Sequence, residues 1–322
     1  MATRRLVLQC GLGLGTLGAT GVASSQDLKW RQRAMLGFGT TLWLQAAHSD
    51  AARCEAALDA SVRAIRRIEH ELSLFNEDSA LCRLNRQGHL HAAPPHLRQV
   101  LRTAQHIARA SAGALDVSMQ PLWTLWAQAA QHGGAPSAQA LARGLQRVNW
   151  RAIEQRGHDI LLNQAGMALS LNGLGQGHAA DVVRDTLRRH DVRHALIDTG
   201  EVLPVGQAQG ATPWAWRIAS ARPDAPQGPR LAPSGWAMAT SSGATTPFSD
   251  DHRDHHIIDP RLGRSPQHWA SVTVLAPSAT WADALTKVAF MTPAQHLRAM
   301  SQAWGVAVVA QDLAGRWHRH GV

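Results

Sequence analysis

Between Asp50 and Leu72 the apolar residues Leu58, Val62, Ile65, Ile68 and Leu72 fall four, three, three and four residues apart, which lays one apolar stripe along a helix with Asp50 as its N-cap. Such a stripe has to be buried against another layer. The stretch just before it, residues 39–46 (GTTLWLQA), alternates in the manner of a strand. Residues 73–85 then break into polar turns. Helical patterns follow at 97–112, 137–147, 178–190, 280–291 and 293–304. Short strands are expected at 159–162, 168–171, within 195–239, and at 255–258 and 270–275, with a final hairpin. The loop holding Pro223, Pro226, Pro229 and Pro233 is expected to be exposed. Irregular alternation ending in hairpins predicts an α+β fold, with mixed antiparallel sheets packed against helices, over a doubly wound sheet. No repeat or linker divides residues 26–322, which are expected to form one domain.

A chain of 322 residues, 45% hydrophobic and 17% charged, buries enough surface to fold without disulfides or a structural metal. Its three cysteines (Cys10, Cys54, Cys82) therefore impose nothing. Cys54 and Cys82 could pair in an oxidising compartment or remain buried thiols. The net charge is +9, and only Lys29 and Lys287 of the 32 basic residues are lysines. The basic residues are scattered and carry no nucleic-acid signature, so no nucleic-acid partner is expected. Residues 1–25 place Arg4 and Arg5 ahead of a glycine-rich apolar run and end in the small residues Ala23, Ser24 and Ser25. They are read as an export signal of the twin-arginine type, which predicts a periplasmic protein, with inner-membrane association the alternative if the signal stays attached.

Four clusters carry chemistry. In LNGLGQGHAAD (residues 171–181), Gly173, Gly175 and Gly177 let backbone amides approach an anion at a helix N-terminus, and the plain alternative is a tight strand-to-helix turn. In DDHRDHHIIDPRLG (250–263), acids and histidines cluster without a zinc spacing. Strand alternation sends only one of His255 and His256 into a site and leaves the other on a solvated edge. In WADALTK (281–287), Asp283 and Lys287 share a helix face, and a surface ion pair is the plain alternative. In ATSSG (239–243), small hydroxyl residues end a strand without the surroundings of a hydrolase elbow.

Taken in order, these stretches resemble the FAD:protein FMN transferase (ApbE) family over nearly the whole chain. GTT at 39–41, ELSLFNEDSALCRLN at 71–85, SAGALDVSMQPLWTLW at 111–126 and HHIIDPRLG at 255–263 carry the likeness, with the glycine loop, ATSSG, SVTVLAP and WADALTK. The resemblance implies a T-fold-like α+β architecture, FAD as substrate and Mg²⁺ beside its pyrophosphate. It also implies transfer of FMN from FAD to a Thr or Ser hydroxyl of a partner flavoprotein, with release of AMP. That acceptor would carry a D-G-x-[ST]-G-A-[ST]-type motif, a membrane-anchored respiratory subunit being one candidate. By the same resemblance Phe38, Phe75, Ala114, Leu115, Asp116, Ser170, Gly173, Gln176, Thr240, Ser241, His256 and Ile257 contact the flavin nucleotide. His256 and Asp283 are the implied catalytic residues. Asp283, the main-chain oxygen of Gly173, Thr286 and Lys287 surround the implied metal.

The chain departs from the family pattern at the site. Ser170, Gln176 and His178 replace the usual Asp, Lys or Glu, and aromatic; Thr199-Gly200-Glu201 replaces G-G-[DN]; Phe38 stands for Met; and Lys287 stands where a metal-binding Thr is frequent. These changes leave two expectations, an active magnesium-dependent transferase or an FAD-binding carrier that has lost transfer. The retained His256, Asp259 and Asp283 favour the first.

Overall fold

The computed structural model describes residues 28–233 and 235–321. The export-signal expectation at residues 1–25 lies outside them. The chain runs β1 (Lys29–Gly37), β2 (Thr40–His48), α1 (Ala51–Leu72), α2 (Ala80–Gln87), β3 (His89–Leu90), α3 (Pro95–Ala110), α4 (Gln120–Gln131) and α5 (Ala138–Leu145). It continues through β4 (Ile153–Arg156), β5 (Asp159–Leu162), α6 (Gly175–Arg189), β6 (His194–Asp198), β7 (Val202–Val205), β8 (Trp216–Arg217), β9 (Arg230–Leu231) and β10 (Ala237–Ser242). Then come β11 (Trp269–Ala276), α7 (Ala279–Phe290), α8 (Ala294–Trp304), β12 (Ala307–Asp312) and β13 (Trp317–His320).

An eight-stranded sheet in the order β1-β2-β6-β7-β10-β11-β12-β13, antiparallel at every pairing, forms the centre. Period-two alternation buries both of its faces. Ala237 and Ala239 of β10, with Val272 and Val274 of β11, point to the helical side, where α1, α6 and α7 pack. Met238 and Leu275 point to the opposite side, against Trp216, Ile218 and Leu231 around the β8–β9 ribbon. The main core cluster reaches from Leu42 to Ala310.

Several expectations are corrected. β1, where no strand is expected, is a charged edge strand: Arg31 pairs with Glu55 at 2.8 Å and Arg33 with Asp59 at 2.9 Å, both partners on α1. The polar turns at 73–85 contain the start of α2, capped by the Ser79 hydroxyl and closed by Gly88 at φ 73°. The expected strands at 168–171 and 255–258 are only isolated bridges, Met119 to Ala168 and Pro247 to His255. The proline loop is exposed at Pro223 and Pro226 but buried at Pro233. Cys54 and Cys82 are both free thiols, each donating to a backbone carbonyl. Among the described residues no helix is long and apolar enough to cross a membrane.

Candidate active site

A cavity of about 450 Å³ opens where the turn before α6, the end of β10, the segment before α4 and the loop at 256–260 converge. Phe75, Ala114, Leu115, Asp116, Ser170, Gly173, Gln176, Thr240, Ser241, His256, Ile257 and Lys287 all line it. The fold thus gathers into one wall most of the expected site residues, although they lie far apart in sequence. Three of the expected residues stand outside the lining. Phe38, at φ 52°, donates its amide to Glu69 and turns its ring toward Gly175. Asp283 is fully buried behind the lining residue Lys287, whose ammonium lies 2.7 Å from its Oδ1. Thr286 is buried as well, its hydroxyl bonded to Ser241 at 2.7 Å and donated to the Asp283 carbonyl.

The glycine loop behaves differently from an open amide cradle. α6 begins three residues earlier than expected, so the amides of Leu174 and Gly175 turn back to the Leu171 carbonyl, and Gly177 donates to Asp283 Oδ2 at 3.3 Å. The positive end of α6 still faces the cavity, with Gln176 of its first turn in the lining. Each glycine has its own reason. A Cβ on Gly173 would sit 3.0 Å from Lys287 Cε, one on Gly200 would strike the Gln176 amide, and one on Gly177 would lie 2.3 Å from the Ala279 carbonyl oxygen. Gly175 has only Phe38 and Leu72 at 3.8 and 3.9 Å. Gly177→Val is therefore expected to prevent folding by driving α6 off the start of α7, whereas Gly175→Ala should unfold in urea within about 1 kcal/mol of the parent. A folded Gly177→Val protein of parental stability would contradict this helix contact.

The histidine pair is also corrected. His255 is no solvated edge residue: it is 3% exposed, sits edge-on to Phe290, and lies under Gly243, where an added Cβ would come within 2.7 Å of its ring. His256 is the half-buried one in the cavity wall, and its Nδ1 is buried without a hydrogen-bond partner. Burial, then His255 and Lys287, push its pKa down to about 4, so the ring is neutral at pH 7. Asp116 faces the cavity with its carboxylate already used: Oδ1 accepts from the Ser118 amide and hydroxyl, Oδ2 from the Trp150 amide. Burial raises its pKa despite those bonds. Asp181, at the end of the glycine stretch, caps α7 through Ser278, Ala279 and Thr280 and so ties α6 to α7.

The ApbE family profile matches residues 38–310. The chain belongs to the ApbE family. It is 32% identical to a Treponema pallidum protein named FAD:protein FMN transferase, over 88% of this chain and 84% of that one. A flavin transferase ApbE from Vibrio cholerae superposes with a TM-score of 0.78, at 21% identity, covering 91% of this chain and 98% of the other. The apo flavinyl transferase ApbE of Pseudomonas stutzeri gives 0.80 at 23% identity, covering 91% and 95%. The α+β architecture is thus that of the solved ApbE structures.

Some lining residues carry little signal in the sequence. Gln120 and Trp123 come from α4, a helix without a clear apolar stripe. Glu201, from the T-G-E departure, is 7% exposed and lines the cavity with Oε2 unpartnered. Its place in a variant turn is the one signal that points to it.

Proposed function

We infer that this ApbE-family chain transfers FMN from FAD to a Thr or Ser hydroxyl of a partner flavoprotein and releases AMP. The observation that carries the reading is the cavity itself. It joins the N-terminal end of α6, suited to a pyrophosphate, to a neutral histidine whose Nδ1 has no partner. In the reaction the bond from the FMN phosphorus to the bridging oxygen breaks and a bond to the acceptor oxygen forms. The hydroxyl proton leaves and AMP departs with the bridging oxygen. His256 would accept or orient that proton. Its low basicity suits a pocket that receives anions, because incoming phosphate charge raises a histidine pKa toward the useful range. Phe75, 65% exposed at the cavity rim, offers an aromatic face to a flavin.

Among the described residues no three His, Cys, Asp or Glu side chains gather as a metal site. What is present fits a hard cation in a narrower way. Asp283 supplies a carboxylate, Gly173 lies against the same Lys287 side chain, and Glu201 Oε2 is a buried oxygen without a partner. Asp283 and the Gly173 carbonyl would hold Mg²⁺, which when bound neutralises charge on the pyrophosphate. Thr286 is engaged by Ser241, and a protonated Lys287 has no lone pair to offer. The arginine pair at residues 4–5 supports export to the periplasm, where a flavoprotein acceptor would be met. The test incubates the protein with FAD, Mg²⁺ and a domain bearing the D-G-x-[ST]-G-A-[ST] motif, and reads the FMN mass increment on the acceptor hydroxyl. Tight FAD binding with no increment and no AMP would reduce the chain to a flavin carrier.

A further inference from the structure

The acidic end of the cavity holds a carboxyl that the family resemblance does not use. Glu201 projects from the turn between β6 and β7, is 7% exposed, lines the cavity, and leaves Oε2 without any partner. Glu201 and the Lys287 ammonium line the same cavity, and that ammonium in turn holds the Asp283 carboxylate. That ammonium lies 2.7 Å from Asp283 Oδ1. Its side chain also crosses Gly173 so closely that an added Cβ would sit 3.0 Å from Lys287 Cε and 3.7 Å from Nζ. Lys287 thus stands between the two groups that would ligate a cation. Glu201 Oε2 is left buried without a partner in the cavity that Lys287 shares, and a divalent ion would satisfy it.

We propose that Glu201 is the second carboxylate of a divalent-cation site built on Asp283, and that Lys287 is a resident counter-ion which the cation displaces. Glu201 and Lys287 are both departures from the family pattern, and both line the cavity. Lysine suits the resident role because its stem is flexible and its ammonium is a point charge that swings out to a phosphate oxygen once displaced. This assignment rests on the flavin-transfer reading for the cation's purpose, but not for its detection.

The test uses full-length, FAD-free protein and Mn²⁺ alone as probe, titrated by electron paramagnetic resonance. Lys287→Met is expected to tighten Mn²⁺ binding by about tenfold or more, since a competing positive charge is gone. Adding Glu201→Gln to that variant should return the affinity to the parental level or below. Unchanged affinity in Lys287→Met, or a double variant as tight as the single one, overturns the proposal. Should Lys287→Met fail to fold, Glu201→Gln in the parent decides. It is nearly isosteric and carries no charge, and it should weaken Mn²⁺ binding by about tenfold, with an unchanged affinity again overturning the assignment. Flavin transfer is not read in these titrations, so its absence would leave the cation site standing, and an absent cation effect would leave the transfer reading standing.

Discussion

Replacing His256 by Ala is expected to cut FMN transfer by about 10²-fold or more while FAD affinity stays near the parental value. The imidazole sits in the cavity wall with Nδ1 free of partners, and it is neutral because burial, with His255 and Lys287 beside it, holds its pKa at about 4. A neutral ring can take the acceptor's proton, and its contribution arises mainly as the new P–O bond forms. Single-turnover flavinylation and an FAD titration, run on the same preparation, separate the two quantities. His255→Ala is the necessary contrast. Because that ring is packed between Gly243 and Phe290, its loss should cost about 2–4 kcal/mol of stability and leave transfer by the folded fraction largely intact. Equal losses of affinity and turnover in His256→Ala, or a larger rate loss in His255→Ala, would show that the wrong ring has been placed at the acceptor.

The protein is expected to lose stability steeply as pH falls from 6.5 toward 4. Burial holds both His178 and His255 at about 4 in the folded chain, against an ordinary histidine value near 6.5. His96 adds to the effect on His178, which it meets at 2.9 Å, and His252 adds to that on His255. Between those values the unfolded chain binds protons that the folded chain refuses, so stability rises with pH and its full value is present only above about 6.5. Each ring then costs about 2 kcal/mol at pH 5, and the pair about 4 kcal/mol. Urea unfolding at pH 7.5 and pH 5 of the parent and of His178→Leu isolates the share of one ring, because His256 adds a shift of the same sign and the raised Glu201 carboxyl one of the opposite sign. A His178→Leu variant should show a fall smaller by about 2 kcal/mol. An equal fall in the parent and in His178→Leu would mean that the His178 ring is protonated in the folded state.

Elements with a strong one-sided pattern are legible in the amino-acid sequence alone. The stripe from Leu58 to Leu72 is α1, and the alternation in 270–275 is β11, because in both the core-facing positions are apolar and the repeat is regular. β1 is not legible in this way, since an edge strand that answers its exposure with Arg31 and Arg33 reads like a solvated lead-in. α4 escapes the pattern because its tryptophans and leucines serve a small satellite cluster with Phe248 and the 256–263 loop rather than a single stripe.

For the site, residue types and their order along the chain determined a great deal. The stretches that line the cavity, the histidine before Ile257, and the odd lysine at 287 can all be named from sequence, since each belongs to a short run whose chemistry is local. Tertiary structure alone decided direction and depth. It put His255 into the core and His256 into the wall although the two are adjacent. It also turned Gly177 from a ligand contact into the close approach of two helices, and withdrew Thr286 behind Ser241. It buried Glu201 of another turn in the wall of the cavity that Lys287 lines. The reason is physical: burial, charge neighbourhood and the fate of a backbone amide depend on what packs from elsewhere in the chain, and no local pattern of residues encodes that distance.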